Sequence, residues 1–143
     1  MPGPYLKAAV LCENAIEDKQ GVLSLIRIVD RTILGARGPE VPDEMPSFKQ
    51  RIFVVLMFVS GDARGTHQCS IVLQKPDGLR QLINSGTVLL EGDDRGANVI
   101  IEMNLDVELE GLHWYEVRLG NQISTQIPWR VVYQRQIQTL PSP

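Results

Sequence analysis

Apolar and polar residues alternate along most of this chain, the pattern of strands buried on one face and wet on the other. Asn98 to Val107 is the clearest case: Val99, Ile101, Met103, Leu105 and Val107 point one way, and Glu102, Asn104 and Asp106 the other. His67 to Gln74 alternates likewise, with Cys69, Ile71 and Leu73 against Gln68, Ser70 and Gln74. In the C-terminal segment Ile123, Thr125, Ile127, Trp129, Val131 and Tyr133 share a face. Further strands are predicted over Leu6–Glu13 and Val22–Asp30. Turn residues separate the runs: Asp18-Lys19-Gln20-Gly21, Gly61-Asp62-Ala63-Arg64-Gly65, Pro76-Asp77-Gly78, Gly92-Asp93-Asp94-Arg95-Gly96 and Gly120-Asn121-Gln122. Proline presets φ at such places and glycine accepts a positive one. Ser85-Gly86 reads either as a kink where one strand changes sheets or as a turn between two short strands. No segment sustains a helical stripe. One-sided burial suits antiparallel sheets. The pattern therefore predicts an all-β fold, an antiparallel β-sandwich of about eight strands, immunoglobulin-like or C2-like, with no substantial helix.

Two segments depart from this pattern. Ile52 to Val59 is apolar throughout. Phe53, Val55, Met57 and Val59 lie on one side of it, and Ile52, Val54, Leu56 and Phe58 on the other. The outer face of a sandwich strand should be wet, and contiguous exposed apolar patches are rare on soluble monomers, so something has to cover the second side. The chain itself, a second subunit, or a separate partner or apolar ligand would serve. The second departure is Arg31–Ser47, with three prolines and two glycines. It is predicted to be an irregular connection, and it is the first candidate for an internal cover.

Length and charge narrow the classes. The chain of 143 residues suits one domain, here residues 1–138, followed by a frayed tail at 139–143. Net charge is −3 and the arginines are scattered singly, so the basic stripe of a nucleic-acid binder is missing. MPGPYLK lacks the apolar core of a secretory signal, and the apolar run is too short for a membrane helix. Cys12 and Cys69 stand alone, with no zinc or redox spacing, and read as two buried reduced thiols. These features together predict a cytoplasmic protein without a cofactor.

Candidate chemistry is sparse. No nucleophile elbow, zinc-protease or phosphate-loop motif occurs. His67 and His113 are solitary, and His113 reads more simply as a satisfied strand histidine than as a group paired with an acid. If every turn reverses the strand, Asp18, Asp62, Asp93 and Asp94 gather at one end and offer oxygens to Ca²⁺, although acids also sit in turns for local hydrogen bonds. Trp114 shares a face with Glu116 and Arg118, opposite Tyr115, Val117 and Leu119. If the second set is core, Trp114 faces outward, as tryptophans at binding hot spots do; packing across an edge is the blander alternative. Pro128 lacks a ladder donor and predicts an edge or a bulge.

Three stretches carry a family resemblance. Glu110 to Tyr133, EGLHWYEVRLGNQISTQIPWRVVY, resembles the closing hairpin of a family of small bacterial proteins known only as a domain of unknown function. Leu11-Cys12-Glu13-Asn14 with Leu23 to Asp30 resembles its opening pair, and Gly96-Ala97-Asn98-Val99-Ile100 its middle. The resemblance implies an intracellular antiparallel sandwich of no established activity, with no catalytic residue to carry over. His113 stands where the family usually has tyrosine, a residue that pins sandwich corners by hydrogen-bonding backbone. The reading reached is a non-catalytic interaction or assembly module, self-associating or binding a protein partner. Its interface candidates are Phe53, Val55, Met57, Phe58, Trp114 and Arg118. The alternative is a small-ligand or Ca²⁺-binding sandwich, and an enzyme ranks below both.

Overall fold

A computed structural model describes residues 2–136; the expected tail at 139–143 lies outside them. The described residues form an all-β fold with seven strands: Tyr5–Glu17 (β1), Leu23–Val29 (β2), Arg31–Arg37 (β3), Phe48–Gln74 (β4), Arg80–Val107 (β5), Gly111–Leu119 (β6) and Gln122–Gln136 (β7). Their order is β2-β1-β4-β6-β7-β3, with β5 paired to β4. The sheet is mixed, because β3 runs parallel to β7 while the other pairs are antiparallel. Three expectations are thereby corrected: the sheet is mixed rather than antiparallel throughout, the described residues form seven strands in place of about eight, and Arg31–Arg37 is a strand rather than the start of an irregular connection.

The strand count falls because two expected turns are bends. β4 and β5 have 27 and 28 residues, roughly five times a common strand length. Gly61–Gly65 and Gly92–Gly96 face each other inside this single ribbon, where the register shifts at Gly61 and again before Arg64. Gly61, Gly65, Gly92 and Asp93 all have positive φ, so the ladder turns a corner without ending. The Ser60 hydroxyl, fully buried, donates to the Arg95 carbonyl at 3.0 Å and accepts from the Glu91 N–H at 3.2 Å. Gly61 also lets the chain start come close: a Cβ there would sit 2.5 Å from the Pro2 carbonyl oxygen. Before the bend, β4 pairs with β1 and the second half of β5; beyond it, with β6 and the first half of β5. Gly86 pairs with Cys69 in ordinary register, and the irregularity falls beside Ile83.

The turns at Asp18–Gly21, Pro76–Gly78 and Gly120–Asn121 form as their residues predict. Asp18 Oδ1 accepts from the Gln20 and Val22 N–H groups, and Asp77 Oδ1 accepts from Leu79 N–H at 3.0 Å. Pro128 also fits. The Arg130 N–H reaches the Asp30 carbonyl beside β3, so the Pro128 nitrogen, two residues earlier, faces the same side just before β3 begins, and no ladder bond is lost.

One core cluster draws on both halves of the bent ribbon, including Ile52, Val54, Leu56 and Phe58 from before the bend and Cys69, Ile71 and Leu73 from after it. Tyr115, Val117, Trp129 and Val131 complete it. Part of the Arg31–Ser47 segment serves this core: Met45 is buried in it, and the Tyr133 hydroxyl donates to the Pro42 carbonyl at 2.8 Å.

The second side of the apolar run is filled by a different element. Cys12, Phe53 and Val55 form their own cluster, with Leu23, Leu25 and Ala15 packed against it. The cover is thus the β1–β2 hairpin, not the Arg31–Ser47 connection. Leu25 and Val29 have the same parity on β2, yet Leu25 joins this outer cluster and Val29 packs on the main core. Arg27, between them, has φ +55°, and Leu11 and Ala15 on β1 change sides in the same way. Arg27 Nε donates to Glu13 Oε2 at 2.7 Å across the same pair of strands.

Candidate functional site

β6 alternates as its sequence requires. Tyr115 and Val117 are fully buried, which turns Trp114, Glu116 and Arg118 to the outer face. The register sets their neighbours: Gln74 lies between Arg80 and Trp114, and Val72 lies between Leu82 and Glu116. On the other side Trp114 faces Pro128 and Glu116 faces Gln126. Glu116 is only 4% exposed although it points outward, because two arginines lie over it. Arg80 Nη2 and Arg118 Nε both donate to its Oε2, each at 2.6 Å. Burial alone would push the Glu116 carboxyl up; the hydrogen bonds and charges of Arg80 and Arg118 outweigh it and hold the group below its usual range.

One carboxylate cannot neutralise two guanidinium groups, so the cluster keeps a net positive charge. Arg118 is held through Nε, which directs its two terminal nitrogens elsewhere, and Arg80 Nη1 has only a long contact, 3.4 Å, with Gln74 Oε1. Trp114 is half-buried beside them. The chemistry on offer is a pinned pair of cationic groups on the same face as Trp114, able to hold an anion.

The structure brings two of the sequence-predicted interface residues, Trp114 and Arg118, into this site and leaves four out. Phe58 is in the main core at 2% exposure, and Phe53 and Val55 are buried beneath the β1–β2 hairpin. Met57 is half-buried at the margin of that outer cluster. Arg80 and Glu116 belong to the site but were not among the candidates. Arg80 follows the Pro76–Gly78 turn and meets Glu116 36 positions further on, a pairing with no local signal. Glu116 had one, its place between Trp114 and Arg118.

The four aspartates do not gather. Asp62, Asp93 and Asp94 lie at the bend, whereas Asp18 follows the far end of β1, whose Tyr5 pairs with Val59 near the bend. An extended strand of that length spans on the order of 40 Å. Asp93 instead approaches Arg64 at 3.6 Å. Among the described residues no group of three or more His, Cys, Asp or Glu side chains is placed to hold a metal ion.

The histidines bond to backbone. His67 Nε2 lies 3.1 Å from the Arg64 carbonyl, and His113 Nδ1 lies 3.1 Å from the Gly111 carbonyl. His113 is 3% exposed and tilts against Trp129 with ring centres 5.0 Å apart. Burial pushes its pKa down, against the bond to Gly111; Lys75 lowers it further and Asp77 raises it. The cleft beside it, edged by Leu73, Leu105 and Trp129, holds about 10 Å³, at most one water. A larger hollow of about 430 Å³ is edged by the consecutive rungs Lys49–Asp106, Gln50–Leu105 and Arg51–Asn104. Consecutive strand residues point to opposite faces, so this hollow is the flank of the ribbon and not a pocket. Cys12 and Cys69 sit in separate clusters as free thiols, and burial pushes Cys69 up to about 11, far from a reactive thiolate. Among the described residues no helix is long and apolar enough to cross a membrane.

The described residues define an all-β protein whose outer face carries the Arg80–Glu116–Arg118 cluster beside Trp114. The chain belongs to the Family of unknown function (DUF6941), whose sequence pattern matches residues 7–132. No curated protein matches it. Among solved structures, β-glucosidase from Listeria innocua in complex with gluconolactone is similar at a TM-score of 0.52 and 15% identity, over 91% of this chain and 17% of that one. The same enzyme in complex with isofagomine gives a TM-score of 0.48 and 13% identity, over 92% and 17%. Pseudomonas fluorescens alkylpurine DNA glycosylase AlkC, bound to DNA containing an abasic site analog, gives 0.40 and 10% identity, over 68% and 27%. At such identities the likeness is one of fold alone, and the chain spans about a sixth of the β-glucosidase.

Proposed function

We propose that this protein is a non-catalytic protein-interaction module, folded as a two-layer β-sandwich, that docks through the outer face around Trp114. The observation that carries the reading is that Trp114 shares its sheet face with two arginines that stay 42% and 39% exposed while sharing Glu116. Tryptophan and arginine are the residues most enriched among binding anchors. A core fed by both halves of the bent ribbon supports the two-layer arrangement. The docking surface moves away from the apolar run, because the β1–β2 hairpin fills Phe53 and Val55 from within. Histidines engaged with backbone and a Cys69 thiol pushed up to about 11 support a role without catalysis. Two free thiols also suit a reducing, intracellular setting.

A photo-crosslinking residue placed at Gln126, opposite Glu116 on β7, tests this in cells. The expected outcome is a discrete protein adduct that is missing when the same residue replaces Lys19 in the β1–β2 turn. No adduct at Gln126, or equal adducts at both positions, removes the proposal.

A further inference from the structure

We infer that the Arg80–Glu116–Arg118 cluster is a receptor for carboxylates, and that the segment it takes is an acidic, extended stretch of a partner protein. The inference rests on the interaction reading above and gives the partner its chemistry.

The argument runs through charge and geometry. Exposed arginines ordinarily lose rotamer freedom when they bind an anion. Here Glu116 already fixes both, one through Nη2 and one through Nε, each at 2.6 Å. Both guanidinium groups therefore lie close together over one oxygen. Their combined charge exceeds that of Glu116 by one, on a chain whose net charge is −3. The Arg118 terminal nitrogens make no hydrogen bond among the described residues, and they form the fork that accepts a carboxylate bidentately. Trp114 lies on the same face, two residues from Glu116, with Val72 and Leu82 on neighbouring strands. That apolar margin favours a peptide, with aliphatic stems to pack as well as charges to pair, over a bare anion.

The test uses the full chain and hexaglutamate as the probe, with hexaglutamine and inorganic phosphate as controls, followed by calorimetry and by Trp114 fluorescence. Hexaglutamate is expected to bind, to weaken as salt rises, and to lose affinity at least about tenfold in Arg118→Gln and in Arg80→Gln. Each variant leaves Glu116 one arginine, so the fold is retained; circular dichroism checks this, and Arg118→Lys, which keeps the charge but not the fork, should lose most of the affinity as well. Equal binding of hexaglutamine, phosphate binding as tight as hexaglutamate, or unchanged affinity in both glutamine variants overturns the inference. Self-association of the free protein that hexaglutamate displaces also overturns it, by making a second copy the occupant. If the Gln126 adduct forms but hexaglutamate does not bind, only the carboxylate chemistry falls. If neither occurs, the interaction reading falls with it.

Discussion

Tyr115 carries its hydroxyl into the core, fully buried, with no hydrogen-bond partner among the described residues. Burial pushes its pKa strongly upward, so the group stays neutral and contributes only its desolvation cost. Tyr115→Phe is expected to raise the unfolding free energy by about 1 kcal/mol, read as a higher urea midpoint with unchanged slope. His113 contrasts with it. Its ring is satisfied by Gly111, but only when one nitrogen is unprotonated does burial cost nothing extra. The fold holds its pKa below the ordinary 6.5, so between the two values the unfolded chain binds the extra proton. Stability is therefore full above pH 6.5 and declines as pH falls through the folded value, with a slope of at most about 1.4 kcal/mol per pH unit. His113→Phe is expected to flatten that part of the profile in urea titrations at stepped pH. The carboxyl of Glu116 is also held low, and its contribution is lost as pH falls below the ordinary carboxylate value, so its window opens at a lower pH than that of His113.

At the scale of elements, Gly61 and Gly65 make an internal control. Both have positive φ, +60° and +91°. An added Cβ at Gly65 meets nothing within 4 Å, whereas at Gly61 it meets the Pro2 carbonyl oxygen at 2.5 Å. Gly65→Ala is expected to cost about 1 kcal/mol from backbone strain alone. Gly61→Ala should cost about 1–2 kcal/mol more, because the chain start must also move away; thermal or urea unfolding of the two variants measures the difference. These glycines mark the limit of what was legible in the sequence. The alternating runs at Asn98–Val107 and His67–Gln74 were readable because burial on one face imposes period two. A Gly-Asp cluster, however, supplies the same positive φ to a turn that ends a strand and to a bend that does not, and only the partner strand decides between them. Arg31–Arg37 hid for a related reason: Thr32, Leu34 and Ala36 alternate over just seven residues, and the partner strand is at the other end of the chain. In the site, Trp114 and Arg118 were visible from alternation. Arg80 was not, since its place depends on the ribbon register, and nothing local says that arginines would bury Glu116.

The whole molecule is organised by the β4–β5 ribbon. Its halves pair with different neighbours and supply most of one core, while the outer side of β5 has no strand partner among the described residues. A long open edge invites further pairing. The two halves of β5 partly answer this themselves, since Asn84 Nδ2 donates to the Glu102 carbonyl at 3.0 Å.

The parallel pairing of β3 with β7 bears on how the chain reaches this state during synthesis. Trp129 Nε1 donates to the Thr32 hydroxyl across 97 positions at 3.0 Å. Closing so large a loop costs chain entropy before any contact repays it, whereas the β4–β5 ribbon closes through the short Pro76–Gly78 turn. The ribbon is thus the natural early structure on the ribosome. β3 leaves the exit tunnel long before β7 does, and it stays an unpaired strand until β7 has followed it out.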